Sequence, residues 1–154
     1  MAITRVDHLE VWARDLDETL RFYVDVLGFE PLRRTIAHRA DGSVFEQVCV
    51  TLGDFMIELI AAPAGRAGDT VDPQAMGVKT FALRVDDMAA TVKLLKSEGI
   101  RFVQEPKPGS TFDGIRAEIL DPNGLGIELR EWQNGDGFHN VDWQPASPAV
   151  TRIA

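Results

Sequence analysis

Residues 52–59 read Leu-Gly-Asp-Phe-Met-Ile-Glu-Leu, and residues 122–129 read Pro-Asn-Gly-Leu-Gly-Ile-Glu-Leu. Each stretch puts a glycine-bearing turn in front of an apolar strand, and each strand carries a glutamate at the same place, Glu58 and Glu128. Earlier in the chain the match continues at a slightly larger offset: His8 falls on Thr80, Asp15 on Asp87, Leu16 on Met88 and Thr19 on Thr91. Capped helix, terminal glycine, hairpin and Ile-Glu-Leu recur in one order, which marks an internal duplication.

Working outward, each half reads β-α-β-β-β. In the first half, residues 3–12 alternate as a strand with Val6, His8, Glu10 and Trp12 on one face; apolar residues on both faces predict cover on both sides. Asp15 with Glu18 forms a capping pair for a helix over 16–27, and Gly28 stands where a left-handed cap belongs. Strands are expected at 29–38, 44–52 and 56–61, the first two separated by the turn Ala40-Asp41-Gly42. In the second half the corresponding expectations are a strand at 78–85, a helix at 88–98 capped by Asp87, and strands at 101–105, 115–120 and 126–132. The organisation is therefore a first module at 1–62, a Gly/Pro-rich linker at 63–76, a second module at 77–132 and a tail at 133–154 that holds His139 and Trp143. The fold class is α+β.

Sixteen Lys and Arg stand against 24 Asp and Glu, a net charge of −8 in 154 residues. That balance, with no Lys/Arg block, argues against nucleic-acid binding and against an anionic membrane surface. The single cysteine, Cys49, rules out a disulfide framework and reads as a small core residue. No apolar run approaches the roughly 20 residues of a bilayer span, and the first residues lack a signal-peptide core, so the expected compartment is the cytoplasm.

A carboxylate inside an apolar strand must face water, a partner or a metal, because burying it unpaired is costly. Glu58 and Glu128 are a repeat-related pair of this kind, and His8 sits mid-strand in the first half. A cup made by two modules would bring one imidazole and two carboxylates to a shared ion, a set suited to Zn, Ni, Co, Mn or Fe.

The chain resembles the vicinal oxygen chelate superfamily, the glyoxalase/bleomycin-resistance/dioxygenase group. The resemblance is carried by His8, Arg14-Asp15-Leu16, Phe22-Tyr23, Val26-Leu27-Gly28-Phe29 and Ile57-Glu58-Leu59 in the first half. In the second it is carried by Phe81 to Asp87, Glu98-Gly99-Ile100, Asp121-Pro122-Asn123-Gly124 and Ile127-Glu128-Leu129. It covers about residues 4–132 and is nearest in pattern to glyoxalase I and methylmalonyl-CoA epimerase. It implies two βαβββ modules forming a U-shaped, partly closed mixed sheet around one divalent metal, with helices outside, and a homodimer. The ligand positions it implies fall on His8, Glu58, Thr80 and Glu128. Thr80 departs from the pattern, since those relatives commonly carry His there. The site then has three protein ligands, recruits Glu10, His38 or His139, or binds no metal, as in the antibiotic-binding members.

Strand parity turns Thr80, Ala82 and Arg84 to one face, and Glu128, Arg130 and Trp132 likewise. Arg84 and Arg130 are candidates for a substrate carboxylate or phosphate, or for neutralising a neighbouring glutamate. Glu46, in a segment resembling one in epimerases, is a candidate second base. The expected function is a metal-dependent isomerase or lyase acting on a small oxygenated substrate through a metal-stabilised enolate, with Glu128, Glu58 or Glu46 moving the proton and no organic cofactor. The alternatives are a drug-binding protein that stacks its ligand on Trp12 and Trp132, and an Fe(II)-dependent dioxygenase, for which His8 with two carboxylates is an unusual ligand set.

Overall fold

The structure is a computed structural model that describes residues 6–63, 77–109 and 112–133. The expected linker from residue 64 on, the tail from residue 134 on with His139 and Trp143, and the first residues of the first strand lie outside the described residues.

The described chain forms two units of identical topology. The first contains β1 (His8–Ala13), α1 (Leu16–Arg21), a π-helical turn (Phe22–Val26), β2 (Glu30–His38), β3 (Val44–Leu52) and β4 (Phe55–Ala61). The second contains β5 (Thr80–Arg84), α2 (Met88–Ser97), β6 (Phe102–Pro108), β7 (Gly114–Leu120) and β8 (Gly126–Trp132). Each sheet is four-stranded and mixed. Its first strand runs parallel beside its last, in the orders β1-β4-β3-β2 and β5-β8-β7-β6. The fold class is thus α+β with two βαβββ repeats, as the duplicated sequence requires.

The helix starts are built as the sequence dictates. Asp15 accepts a hydrogen bond from the Glu18 N–H and Asp87 from that of Ala90, satisfying donors that the helix itself leaves orphaned. The helix ends differ. Gly99 stands twelve positions after Asp87, and α2 closes in a Schellman arrangement, with Ile100 N–H bonding Leu95 O at 2.9 Å and Gly99 at φ +77°. Gly28 stands thirteen positions after Asp15. The extra residue is absorbed as the π turn, where Leu27 N–H reaches Phe22 O and Phe29 N–H reaches Tyr23 O. The helix expected over 16–27 is therefore α-helical for its first part and π-helical for its second.

In the first unit one sheet face carries Val11, Ala13, Val48, Val50, Ile57 and Leu59, all buried; Tyr23 and Phe29, outside the sheet, are buried as well. This is the face on which α1 lies, since Arg34 from the same face pairs with Asp17 of α1 at 2.8 Å. The turn Asp121–Gly124 belongs to this unit. Asn123 accepts the Arg14 N–H at 2.8 Å and donates to Thr19 Oγ1 at 3.0 Å, and the Tyr23 hydroxyl donates to Asp121 at 3.3 Å. In the second unit Ala117, Ile119, Ile127 and Leu129 make the corresponding buried face, with Met88 and Leu95 of α2. Glu131, also on that face, accepts the Met88 N–H and ties β8 to the start of α2.

The expectation of cover on both faces of the first strand is not met. Val11 and Ala13 are buried, but Glu10 is exposed and Trp12 is 46% exposed. Apolar residues on a second face do not by themselves bury it.

Candidate functional site

The faces away from the helices carry the chemistry. In the first unit the register places Glu10 beside Glu58, Glu58 beside Cys49 and Cys49 beside Arg33, a row crossing all four strands. His8 lies two residues before Glu10 on the same face. Glu58 is 8% exposed, so it is not the solvent-facing glutamate of a half-wet strand. Its two oxygens have different neighbours. Oε1 accepts from Arg33 Nη2 at 3.3 Å and from Cys49 Sγ at 3.4 Å, while Oε2 lies 3.9 Å from His8 Nε2. Glu10 Oε1 stands 3.6 Å from the same nitrogen.

His8 Nδ1 is 2.8 Å from Asp7 Oδ1. That contact assigns the Nδ1 proton to Asp7 and leaves the Nε2 lone pair toward the two glutamates, the carboxylate–histidine arrangement that orients metal-ligating imidazoles. The Asp7 carboxylate also holds the imidazole pKa above its ordinary value, with Glu58 and Glu10 adding to the effect against the opposing effect of desolvation. Burial and the neighbouring Glu58 push the Cys49 thiol up, so it stays protonated.

One ligand atom from each of His8, Glu10 and Glu58 lies within 4.8 Å of the others. Atoms bound at about 2.1 Å to a common ion stand about 3–3.5 Å apart, so His8 needs shifts of a few tenths of an ångström toward each glutamate and the widest separation has to close by about 1 Å or more. One imidazole and two carboxylates fit a divalent first-row ion.

Glu46 does not join them. The register sets it opposite Ile36 on the face where α1 lies, and it pairs there with Arg34, which also holds Asp17. Glu46 is thus withdrawn as the second base: it stands three positions before Cys49, an odd offset, and parity sends the two to opposite faces. His38, opposite Val44, lies on the α1 face too. Trp12 shares the face of His8 and Glu10.

In the second unit the equivalent row is Ala82, Glu128, Glu118 and Gln104. Glu128 is 5% exposed and engaged by two cations: Arg130 Nε donates to Oε1, and Arg116 Nη1 lies 3.5 Å from Oε2. Arg130 thereby takes the neutralising role weighed for it in the sequence. Its guanidinium also lies over Phe112, 4.7 Å from the ring centroid, and Phe112 packs on Trp132 at 4.8 Å. The Thr80 hydroxyl donates to the Gly126 carbonyl at 2.7 Å. A side chain at Gly126 would meet Thr80 Oγ1 at 3.2 Å and Glu118 Oε1 at 3.3 Å, so glycine there leaves room for Glu118 to lean toward Thr80. Arg84 is exposed on the same face.

Residues 5–129 match the model of the Glyoxalase/Bleomycin resistance protein/Dioxygenase superfamily. The chain belongs to that superfamily. A probable chloroplastic lactoylglutathione lyase of Arabidopsis thaliana is 34% identical over 128 residues, which are 82% of this chain and 35% of that protein. The chain thus spans about a third of that relative's length. A glyoxalase family protein from Enterococcus faecalis has a similar structure, with TM-score 0.70 and 26% identity over 85% of this chain and 100% of that one. An antibiotic binding protein from a Streptomyces species follows at TM-score 0.62 and 25% identity, covering 86% of this chain and 99% of that one. Among the described residues no helix is long and apolar enough to cross a membrane.

For a glyoxalase-superfamily chain the residues that sequence reading passed over include Asp7, Arg33, Arg116 and Glu118. Arg116 and Glu118 alternate in Ile115-Arg116-Ala117-Glu118, a strand pattern whose inward members were readable once Ala117 was taken as core. Asp7 gives no signal of its own, because a residue beside a ligand is as often a surface charge.

Proposed function

We propose that the chain is a metal-dependent lyase or isomerase of the glyoxalase type acting on a small oxygenated substrate. The observation that carries this reading is the His8 imidazole, fixed through Nδ1 by Asp7 and turned through Nε2 toward the buried Glu58 carboxylate. His8, Glu58 and Glu10 would hold one divalent ion of the set Zn, Ni, Co, Mn and Fe. When bound, such an ion supplies Lewis-acid polarisation of a substrate oxygen.

The chain's own residues then have distinct tasks. Arg33 and Cys49 fix one oxygen of Glu58, so that the other keeps its direction. Glu10 is exposed and has His8 as its ion-pair neighbour, so it is the carboxylate most able to move a proton to and from a substrate carbon next to a carbonyl. Glu58, and Glu128 once released by Arg130 and Arg116, are the other candidates that the sequence offers for ligand and shuttle. The small-molecule substrate, the homodimer and the cytoplasmic compartment expected from the sequence are part of this proposal.

The test is lactoylglutathione lyase activity of the purified chain loaded in turn with each of the five metals, with metal content measured on the same samples. Activity that follows metal content and is lost in His8→Ala supports the reading. A chain that takes up none of the five metals overturns it.

A second reading, a ligand-binding protein, is favoured by Thr80, whose hydroxyl is committed to the Gly126 carbonyl, and by Glu128, which two arginines hold. It fits the likeness to the Streptomyces antibiotic binding protein. Quenching of tryptophan fluorescence by an aromatic drug in metal-free protein, equal with and without added metal, distinguishes it.

A further inference from the structure

The second unit carries a row of four cations, one from each strand. Arg84 stands beside Arg130, Arg130 beside Arg116 and Arg116 beside Lys107. The same row of the first unit is Trp12, Ile60, Gln47 and Thr35, without a charge. Like charges directly opposite on paired strands repel, so the row is a cost to the sheet that the duplicated fold does not require. Arg84 has an interaction of its own and does not count toward a surplus; one carboxylate, Glu128, answers both Arg130 and Arg116, and Lys107 has no ion-pair partner among the described residues. Among the described residues two buried side-chain nitrogens, Arg116 Nε and Gln104 Nε2, have no hydrogen-bond partner. Gln104 Oε1 accepts from Arg116 Nη2 at 3.2 Å, so the two side chains form one donor-rich group. Arg130, held by Glu128 and by the Phe112 ring, is pre-oriented.

Beside the Lys107 end of the row lies a cavity of about 400 Å3, lined by Lys107, Pro108, Phe112, Ile115 and one acidic residue, Asp113, among others. Surplus positive charge, orphaned donors and an adjoining mostly apolar cavity call for a ligand with an anionic head and an apolar body.

We infer that this face of the second unit binds a small amphipathic acid, its carboxylate on Arg116, Arg130 and Lys107 and its apolar part in the cavity. As a statement about the substrate it rests on the reading of the chain as an enzyme; as a statement about binding it does not. The test is calorimetric titration of chelator-treated full-length protein with phenylacetate, with its neutral isostere phenylacetamide and with inorganic phosphate. The acid binds at least about ten-fold tighter than the amide, because hydrogen bonds to a charged group are the strong ones. Arg116→Gln, and separately the exposed Lys107→Gln, which leaves the interior untouched, each remove most of that preference, whereas Lys96→Gln on α2 keeps it. Equal binding of acid and amide, or a preference unchanged in both variants, overturns the inference. Phosphate binding as tightly as phenylacetate overturns the assignment of an apolar body. Because the protein is metal-free in every arm, an anion preference that persists in His8→Ala separates this result from the fate of the metal reading.

Discussion

His8 Nε2 and Glu58 Oε2 face one another at 3.9 Å, with the second nitrogen of the ring and the second oxygen of the carboxylate both held by other groups. Each side chain thus offers one atom in a fixed direction. Removing the outer partner disturbs that direction without removing a ligand. Asp7→Asn is expected to weaken divalent-metal affinity about 10-fold, toward the lower end of the usual loss for such partners because Asp7 is largely exposed. Calorimetric titration with Zn or Ni checks this, and an unchanged affinity would separate Asp7 from the site.

Glu128 is expected to matter for stability before it matters for chemistry. Glu128→Gln leaves Arg130 and Arg116 repelling one another with no counter-charge, and costs about 1–2 kcal/mol after discounting for the partial exposure of both arginines. Glu128→Gln combined with Arg116→Gln removes the repulsion and recovers part of that loss. Urea denaturation of the two variants measures the difference.

Tyr23 is the single tyrosine of the chain, which makes its ionisation directly visible in the ultraviolet. Burial, reinforced by Asp121 beside the hydroxyl, holds its pKa well above the ordinary value of 10. Folding therefore favours the protonated form. The stabilisation is complete below about pH 10, where unfolded tyrosine keeps its proton, and is lost as pH rises through the folded-state value. The expected result is no tyrosinate absorbance up to about pH 11, followed by ionisation coincident with unfolding. A simple titration near pH 10 in folded protein would contradict the packing of Tyr23.

Much of the architecture is written in local patterns. Strand alternation, the caps Asp15 and Asp87 and the terminal glycines place nearly every element, because period and capping act over a few residues. The π turn is not visible in the first half alone, since Leu16, Leu20, Tyr23 and Leu27 also suit an α-helix. It follows from the one-residue difference between the two cap-to-glycine spacings. For the candidate site, alternation makes the shared face of His8 and Glu10 legible, whereas their place beside Glu58, rather than beside the Glu128 expected with them, comes from the β1–β4 register. Glu46 misled because its likeness to an epimerase segment, not parity, nominated it. With Gly53-Asp54 as a two-residue turn, Leu52 opposes Phe55, Cys49 opposes Glu58, and Glu46 must face away. The basic row of the second unit depends on a bulge between Gln104 and Lys107, and no local pattern announces where a bulge falls.

Asn123 tests the placement of the turn it belongs to. It is buried, accepts the Arg14 N–H and donates to Thr19 Oγ1. Asn123→Ala leaves a backbone donor unsatisfied and is expected to cost about 2–3 kcal/mol, lowering the melting temperature by about 5–10 °C. A calorimetric scan decides, and a shift below about 2 °C would show that the turn is not held there.

The most direct test of the account is the divalent-metal content of the full-length protein after dialysis against trace Zn, Ni, Co, Mn and Fe, measured by mass spectrometry beside His8→Ala and Glu58→Ala. The account predicts about one ion per chain in the unaltered protein and affinity at least about 100-fold weaker in each variant. Full metal content in both variants, or none in the unaltered chain, would contradict it.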